Sequence, residues 1–139
     1  MTRKGSSKKV DSDYAGRRLA NARAFHRAAR NEFASAESGA NMNPAMSLIV
    51  SAVIAYTDAL TARRKSLVNQ QDHSTAAKLL RDAFGRELPA AQERQLRRIL
   101  GEKDEVQYGV NVGQRAEAAD MLEDLDAFAA WAELQLADK

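Results

Sequence analysis

Few side chains in this 139-residue chain have the chemistry of a catalyst. There are two histidines, His26 and His73, and no cysteine. The missing cysteine excludes disulfides, cysteine-ligated zinc, iron–sulfur clusters and thiol nucleophiles together. His73 follows Asp72, so it reads either as a general base oriented by a carboxylate or as a first-turn residue bonding locally. His26 lies at the edge of an apolar helical stripe and reads as a packed histidine. Asp58 is the single charge between Ala45 and Ala62. It shares a helix face with Ser51 and Ser47, and a carboxylate there needs a partner: an arginine of the bundle, a helix cap, a ligand amine or a second chain.

Arg23, Arg27 and Arg30 fall on one helix face behind a lysine-rich start. Such a stripe could track the phosphates of a nucleic acid, or it could pair with an acidic helix. No aromatic shares that face, so base stacking is not indicated. Gly109 and Gly113 precede a helix start and Arg115, a weak anion-binding pattern with no Walker lysine. No metal-ligand spacing is present, and no metal or cofactor is expected.

These residues must be held by helices. Alanine is abundant, β-branched residues are few, and no segment reads as a convincing strand. Residues 1–12 read as a flexible basic tail and residues 13–139 as one helical domain. A first helix is expected over residues 13–36, with Ala15, Leu19, Ala22, Phe25, Ala29, Phe33 and Ala36 at spacings of three and four. A second starts at Asn43-Pro44 and runs to about residue 68; it is apolar on nearly every side, as befits a central helix. A third spans about residues 73–84 and stops at Gly85. A fourth begins near Pro89, with Leu96, Ile99 and Leu100 on one face, and is expected to run past Gly101 to Val106 or Tyr108. A fifth spans about residues 114–137, with Ala118, Leu122, Leu125, Ala129, Ala132 and Leu136 inward. The reading is an all-α, four- to five-helix up-and-down bundle.

Charge is unevenly distributed. Residues 1–30 carry nine basic and two acidic side chains, whereas residues 102–139 carry three basic and ten acidic ones. In a bundle this imbalance is relieved if the first and last helices pack side by side, with Arg23, Arg27 and Arg30 near Glu123, Asp126 and Glu133. The basic, polar N-terminus has no apolar core of a secretory signal. The Met46–Tyr56 stretch reads as too short to span a bilayer. A cytoplasmic protein with no membrane partner is expected.

The segments SAVIAYTDALTARRK (51–65), QDHSTAAKLL (71–80), KDEVQYG (103–109) and EAADMLEDLDAFAAWAE (117–133), in this order, resemble the HEPN superfamily and the helical domains that accompany minimal nucleotidyltransferases. The resemblance covers most of residues 12–137. It implies a helical bundle, often a symmetric homodimer, and association with toxin–antitoxin, defence or nucleotidyltransferase systems, with nucleic acid or a partner protein as the target. Many members are RNases that use an Arg followed by a His after four to six intervening residues, near the end of the fourth helix. The imidazole would shuttle the 2′-hydroxyl proton and the guanidinium would hold the phosphate. This chain departs from that pattern. Eight residues separate Arg64 from His73, seven separate Arg18 from His26, and no His follows residue 73. The region keeps Tyr108 but is acidic. A non-catalytic binding module is therefore expected. The alternative is a divergent RNase using His73 with Arg63 or Arg64. Asp58, Ser51 and Tyr108 are the candidates for a buried polar or ligand site.

Overall fold

The computed structural model describes residues 7–70 and 74–137. Among these residues six α-helices carry the fold: α1 (Tyr14–Ser35), α2 (Asn43–Lys65), α3 (Ser74–Phe84), α4 (Ala90–Gly101), α5 (Lys103–Tyr108) and α6 (Arg115–Leu136). The protein is an all-α bundle. The expected fourth helix is present but is divided at Glu102 into α4 and α5.

α2 is the centre of the bundle. It packs against α1 along its length, and also against α3, α4, α5 and α6. Ile49, Val50 and Val53 are fully buried, while Leu48 and Ile54 are half-buried at its flank. Small residues make close packing of α1 and α2 possible. Ala15, Ala22 and Ala29 repeat every seven residues on α1, as Ala45, Ala52 and Ala59 do on α2, and all are buried. The buried Thr57 hydroxyl donates to the Val53 carbonyl at 2.8 Å, so it costs the core little. By length and composition α2 could cross a membrane, more than Met46–Tyr56 alone suggests, yet 72% of its most apolar window is buried inside the bundle.

The absence of strands expected above is corrected. Ser7–Lys9 (β1) pairs antiparallel with Leu67–Asn69 (β2), with Lys8 opposite Val68. Residues 7–9 thus lie in a sheet, although they fall in the stretch read as a tail. α2 ends three residues sooner than expected because Ser66 turns left-handed (φ 59°), its N–H closing on the Ala62 and Thr61 carbonyls. The chain then runs back as β2, and Val10 N–H donates to the Ser66 carbonyl at 3.0 Å. Val68 is buried against Ala15 and Ala62, flanked by Val10 and Tyr14, which anchors the strand pair to the α1–α2 end.

Gly85 (φ +55°) stops α3, as expected, and leads into a short 3-10 turn, Gly85–Glu87. Gly113, just before α6, is required for another reason. A Cβ there would sit 2.6 Å from Asn43 Oδ1 and 2.8 Å from Met46 Sδ. This close approach lets the α5–α6 loop bond to the start of α2. Met42 N–H donates to the Gly113 carbonyl (3.1 Å), Gly113 N–H to Asn41 Oδ1 (3.1 Å), and Asn43 Nδ2 to the Asn111 carbonyl (3.0 Å).

Candidate functional site

The densest cluster of titratable groups lies where α1 and α6 run antiparallel over α2. Arg23 and Arg30 are seven residues apart on α1, and Asp126 and Glu133 are seven apart on α6. Antiparallel packing with matching spacing brings them into pairs. Arg23 binds Glu133 through two bonds, 2.8 and 2.6 Å, and Arg30 binds Asp126 at 2.7 Å. Between them His26, itself buried, places Nε2 2.7 Å from Asp126 Oδ1 and 3.0 Å from Arg30 Nη2. Its Nδ1 is 3.4 Å from the Tyr56 hydroxyl, which in turn donates to Glu133 Oε2 at 3.4 Å.

This arrangement is closed. Burial, then the Glu133 carboxylate, pushes the Tyr56 phenol up to about 12, so it remains a donor. The bidentate bond from Arg23 holds Glu133 below its ordinary carboxylate value. An imidazole beside a carboxylate and a phenol has the parts of an acid–base centre. Here both ring nitrogens already face protein groups.

The arginine stripe is therefore divided. Arg23 and Arg30 neutralise α6, as the charge asymmetry suggests, while Arg27 stays exposed. Glu123, expected in this pairing, instead lines a groove elsewhere. Tyr56 belongs to the cluster and was not foreseen, although a tyrosine inside an apolar helix always needs a partner for its hydroxyl.

Asp58 has an arginine of the bundle as its partner. Its Oδ2 lies 3.2 Å from Arg18 Nη2, with Asp58 13% and Arg18 23% exposed. Burial raises Asp58 to about 6, and Arg18 opposes the shift. Burial and then the Asp58 charge also raise the Tyr14 phenol. Arg18 Nε is buried with no hydrogen-bond partner, a real cost of placing this pair inside. Ser51, two turns earlier on α2, is half-buried. Tyr108 does not belong to a buried polar site, contrary to the expectation: it is 74% exposed. α5 is only six residues long, and at its last residue the backbone turns extended at Gly109, so Tyr108 is left at the rim with Lys103 Nζ 5.3 Å from its ring.

His73 lies outside the described residues. Arg63 donates to the Leu136 carbonyl at 3.3 Å, capping α6 where its dipole is negative. Arg64 binds Glu87 at 2.7 Å and lies 4.0 Å over the Phe84 ring. The anion pattern around Gly109 and Gly113 is overturned. The Gly113 N–H is taken by Asn41, Gln114 and Glu117 form a capping box, and Arg115 donates to the Phe33 carbonyl (3.2 Å) at the end of α1. Among the described residues no group of three or more His, Asp or Glu is placed to hold a metal ion.

No protein-family model matches the chain, and no curated protein matches it.

Proposed function

We propose that the chain is a non-catalytic, HEPN-like helical module that acts by binding another protein, works as a homodimer, and belongs with toxin–antitoxin, defence or nucleotidyltransferase systems. One observation carries the reading. The imidazole of His26, the one described histidine, and the guanidinium groups of Arg23 and Arg30 beside it are engaged with Asp126, Glu133 and Tyr56. A guanidinium already bonded twice to a carboxylate is a poor phosphate clamp. The segment matching the family's usual catalytic position carries Glu102, Asp104 and Glu105, whose charge repels a phosphate backbone.

The test is a metal-free cleavage assay on fluorogenic RNA, run beside sedimentation velocity at micromolar protein. No cleavage and a stable dimer are expected. Cleavage that disappears in a His73→Ala variant would replace this reading with a divergent RNase. A monomer would remove the homodimer from it.

A further inference from the structure

The end of the bundle built by α5, the α5–α6 loop and the first turns of α6 presents apolar side chains to solvent. Tyr108 is 74%, Val110 95% and Val112 55% exposed. Apolar side chains this exposed and this close in sequence mark a contact surface when the backbone holds them in place. It does so here. The bonds from Asn43, Asn41 and Met42 fix Asn111 and Gly113 from below, so the side chains are displayed on an anchored loop.

Two grooves open beside this loop and share Glu102 and Glu117. One, about 350 Å³, has Met46, Val106 and Val112 in its lining with Glu105. The other, about 400 Å³, continues between α4 and α6 past Asp120, Glu123 and Asp124. Among the described residues the one cation lining either groove, Arg98, is bound twice by Asp124, at 2.9 and 2.7 Å. Glu117 faces a backbone N–H rather than a cation. The surface is therefore an apolar ridge, with Lys103 Nζ 5.3 Å from the Tyr108 ring at its edge, beside a trough in which carboxylates outnumber the cation.

We propose that this end of the molecule docks a basic, amphipathic segment of a partner protein, whose apolar residues cover Tyr108, Val110 and Val112 while its lysines or arginines enter the trough. The surrounding charge selects the occupant. Nucleic acid and anionic lipid would meet like charge. A second copy using the same patch about a twofold axis would bring two acidic troughs into one interface. A cationic segment gains on both counts. The inference rests on the binding-module reading and names its partner class.

The experiment uses the intact chain and a labelled synthetic helical peptide with leucines on one face and lysines on the other. A glutamate-for-lysine twin and a serine-for-leucine twin are run beside it in fluorescence anisotropy. The lysine–leucine peptide should bind, and weaken as salt rises. Its affinity should fall about ten-fold in a Tyr108→Ser, Val110→Ser double variant and by a similar factor in Asp120→Asn with Glu123→Gln. Circular dichroism must show both variants folded. The proposal is overturned if the lysine–leucine peptide does not bind, if the glutamate twin binds equally well, or if the folded variants bind like the parent. It is also overturned if Val110→Ser abolishes self-association in sedimentation, which would make a second copy the occupant. RNA cleavage by the parent would instead count against the binding-module reading, through a separate readout.

Discussion

The α1–α6 seam and the α5–α6 end are both rich in charge, and they use it in opposite ways. In the seam Arg23 and Arg30 each meet a carboxylate, His26 sits between, and the Tyr56 hydroxyl closes the cluster from α2. At the other end the carboxylates of Glu102, Asp120 and Glu123 face a groove whose single arginine belongs to Asp124, next to apolar side chains left in water. Satisfied polar clusters define how helices sit on one another. Unbalanced ones beside exposed apolar surface define what the molecule can meet. Charge composition alone does not separate these roles; partner geometry does.

Both regions hang from α2, which supplies Tyr56 to one and Asn43 and Met46 to the other. The largest effect is therefore expected from Val53→Asp, at a fully buried site between them. An unpaired carboxylate there should cost on the order of 4 kcal/mol or more, enough to unfold the chain. Circular dichroism should show lost helix and sedimentation should show aggregation. A soluble, fully helical Val53→Asp protein would mean that α2 is not the shared core.

Asp58 separates the two kinds of charge by pH. Its folded value of about 6 lies above the ordinary 3.8, so the folded protein holds this proton more tightly than the unfolded chain. Stability from Asp58 is thus greatest below about 4 and is lost as pH rises toward about 6, by on the order of 2–3 kcal/mol. Glu133 runs the other way, since its lowered value gives stability that disappears on acidification. Urea titrations from pH 4 to 7 on the parent and on Asp58→Asn isolate the Asp58 contribution. The parent should lose stability relative to the variant as pH rises, and parallel curves would refute the raised Asp58 value, meaning that Arg18 offsets the cost of its burial.

Gly113→Ala tests the anchoring of the loop. The new Cβ would overlap Asn43 and Met46, and should cost about 1–3 kcal/mol by forcing the loop off the start of α2. Thermal denaturation measures this. An unchanged midpoint would show that the loop accommodates the methyl and is not fixed from below.

Much of this architecture was legible in the chain. α1, α2 and α6 begin within a residue or so of where periodicity and Pro44 place them, because long apolar stripes are strong signals. The Arg23–Glu133 and Arg30–Asp126 pairs follow from opposite charge on two helices that a bundle brings together. The β1–β2 pair was not legible, since three residues show no alternation and Ser66 gives no sign of its left-handed turn. Nor could spacing reveal which partner Asp58 takes: Arg18 is forty residues away and meets it only through helix packing. Tyr108 looked like a site residue by resemblance, but its exposure depends on how few residues α5 has before the chain turns extended.

Within the seam, the ion pairs themselves should contribute little. Arg23 and Arg30 are each more than half exposed, so Arg23→Gln or Arg30→Gln should cost about 0–1 kcal/mol, less in high salt. If the seam only orders the helices, the triple Arg23, Arg27 and Arg30 to glutamine variant should show the same weak oligonucleotide binding as the parent. Micromolar, salt-sensitive nucleic-acid affinity that the triple variant loses would make α1 a phosphate-tracking face instead.

The smallest expected effect on stability is at the surface with the strongest expected effect on binding. Val110 is 95% exposed, so Val110→Ser removes almost no buried area and should shift stability by no more than about 0.5 kcal/mol. Its side chain is displayed to solvent, while the neighbouring Asn111 carbonyl is the atom tied to Asn43. A thermal midpoint matching the parent, together with weakened binding of the lysine–leucine peptide, would place its role entirely in recognition. A clear loss of stability would mean that Val110 is packed in solution, and the contrast between a closed seam and an open docking end would no longer hold.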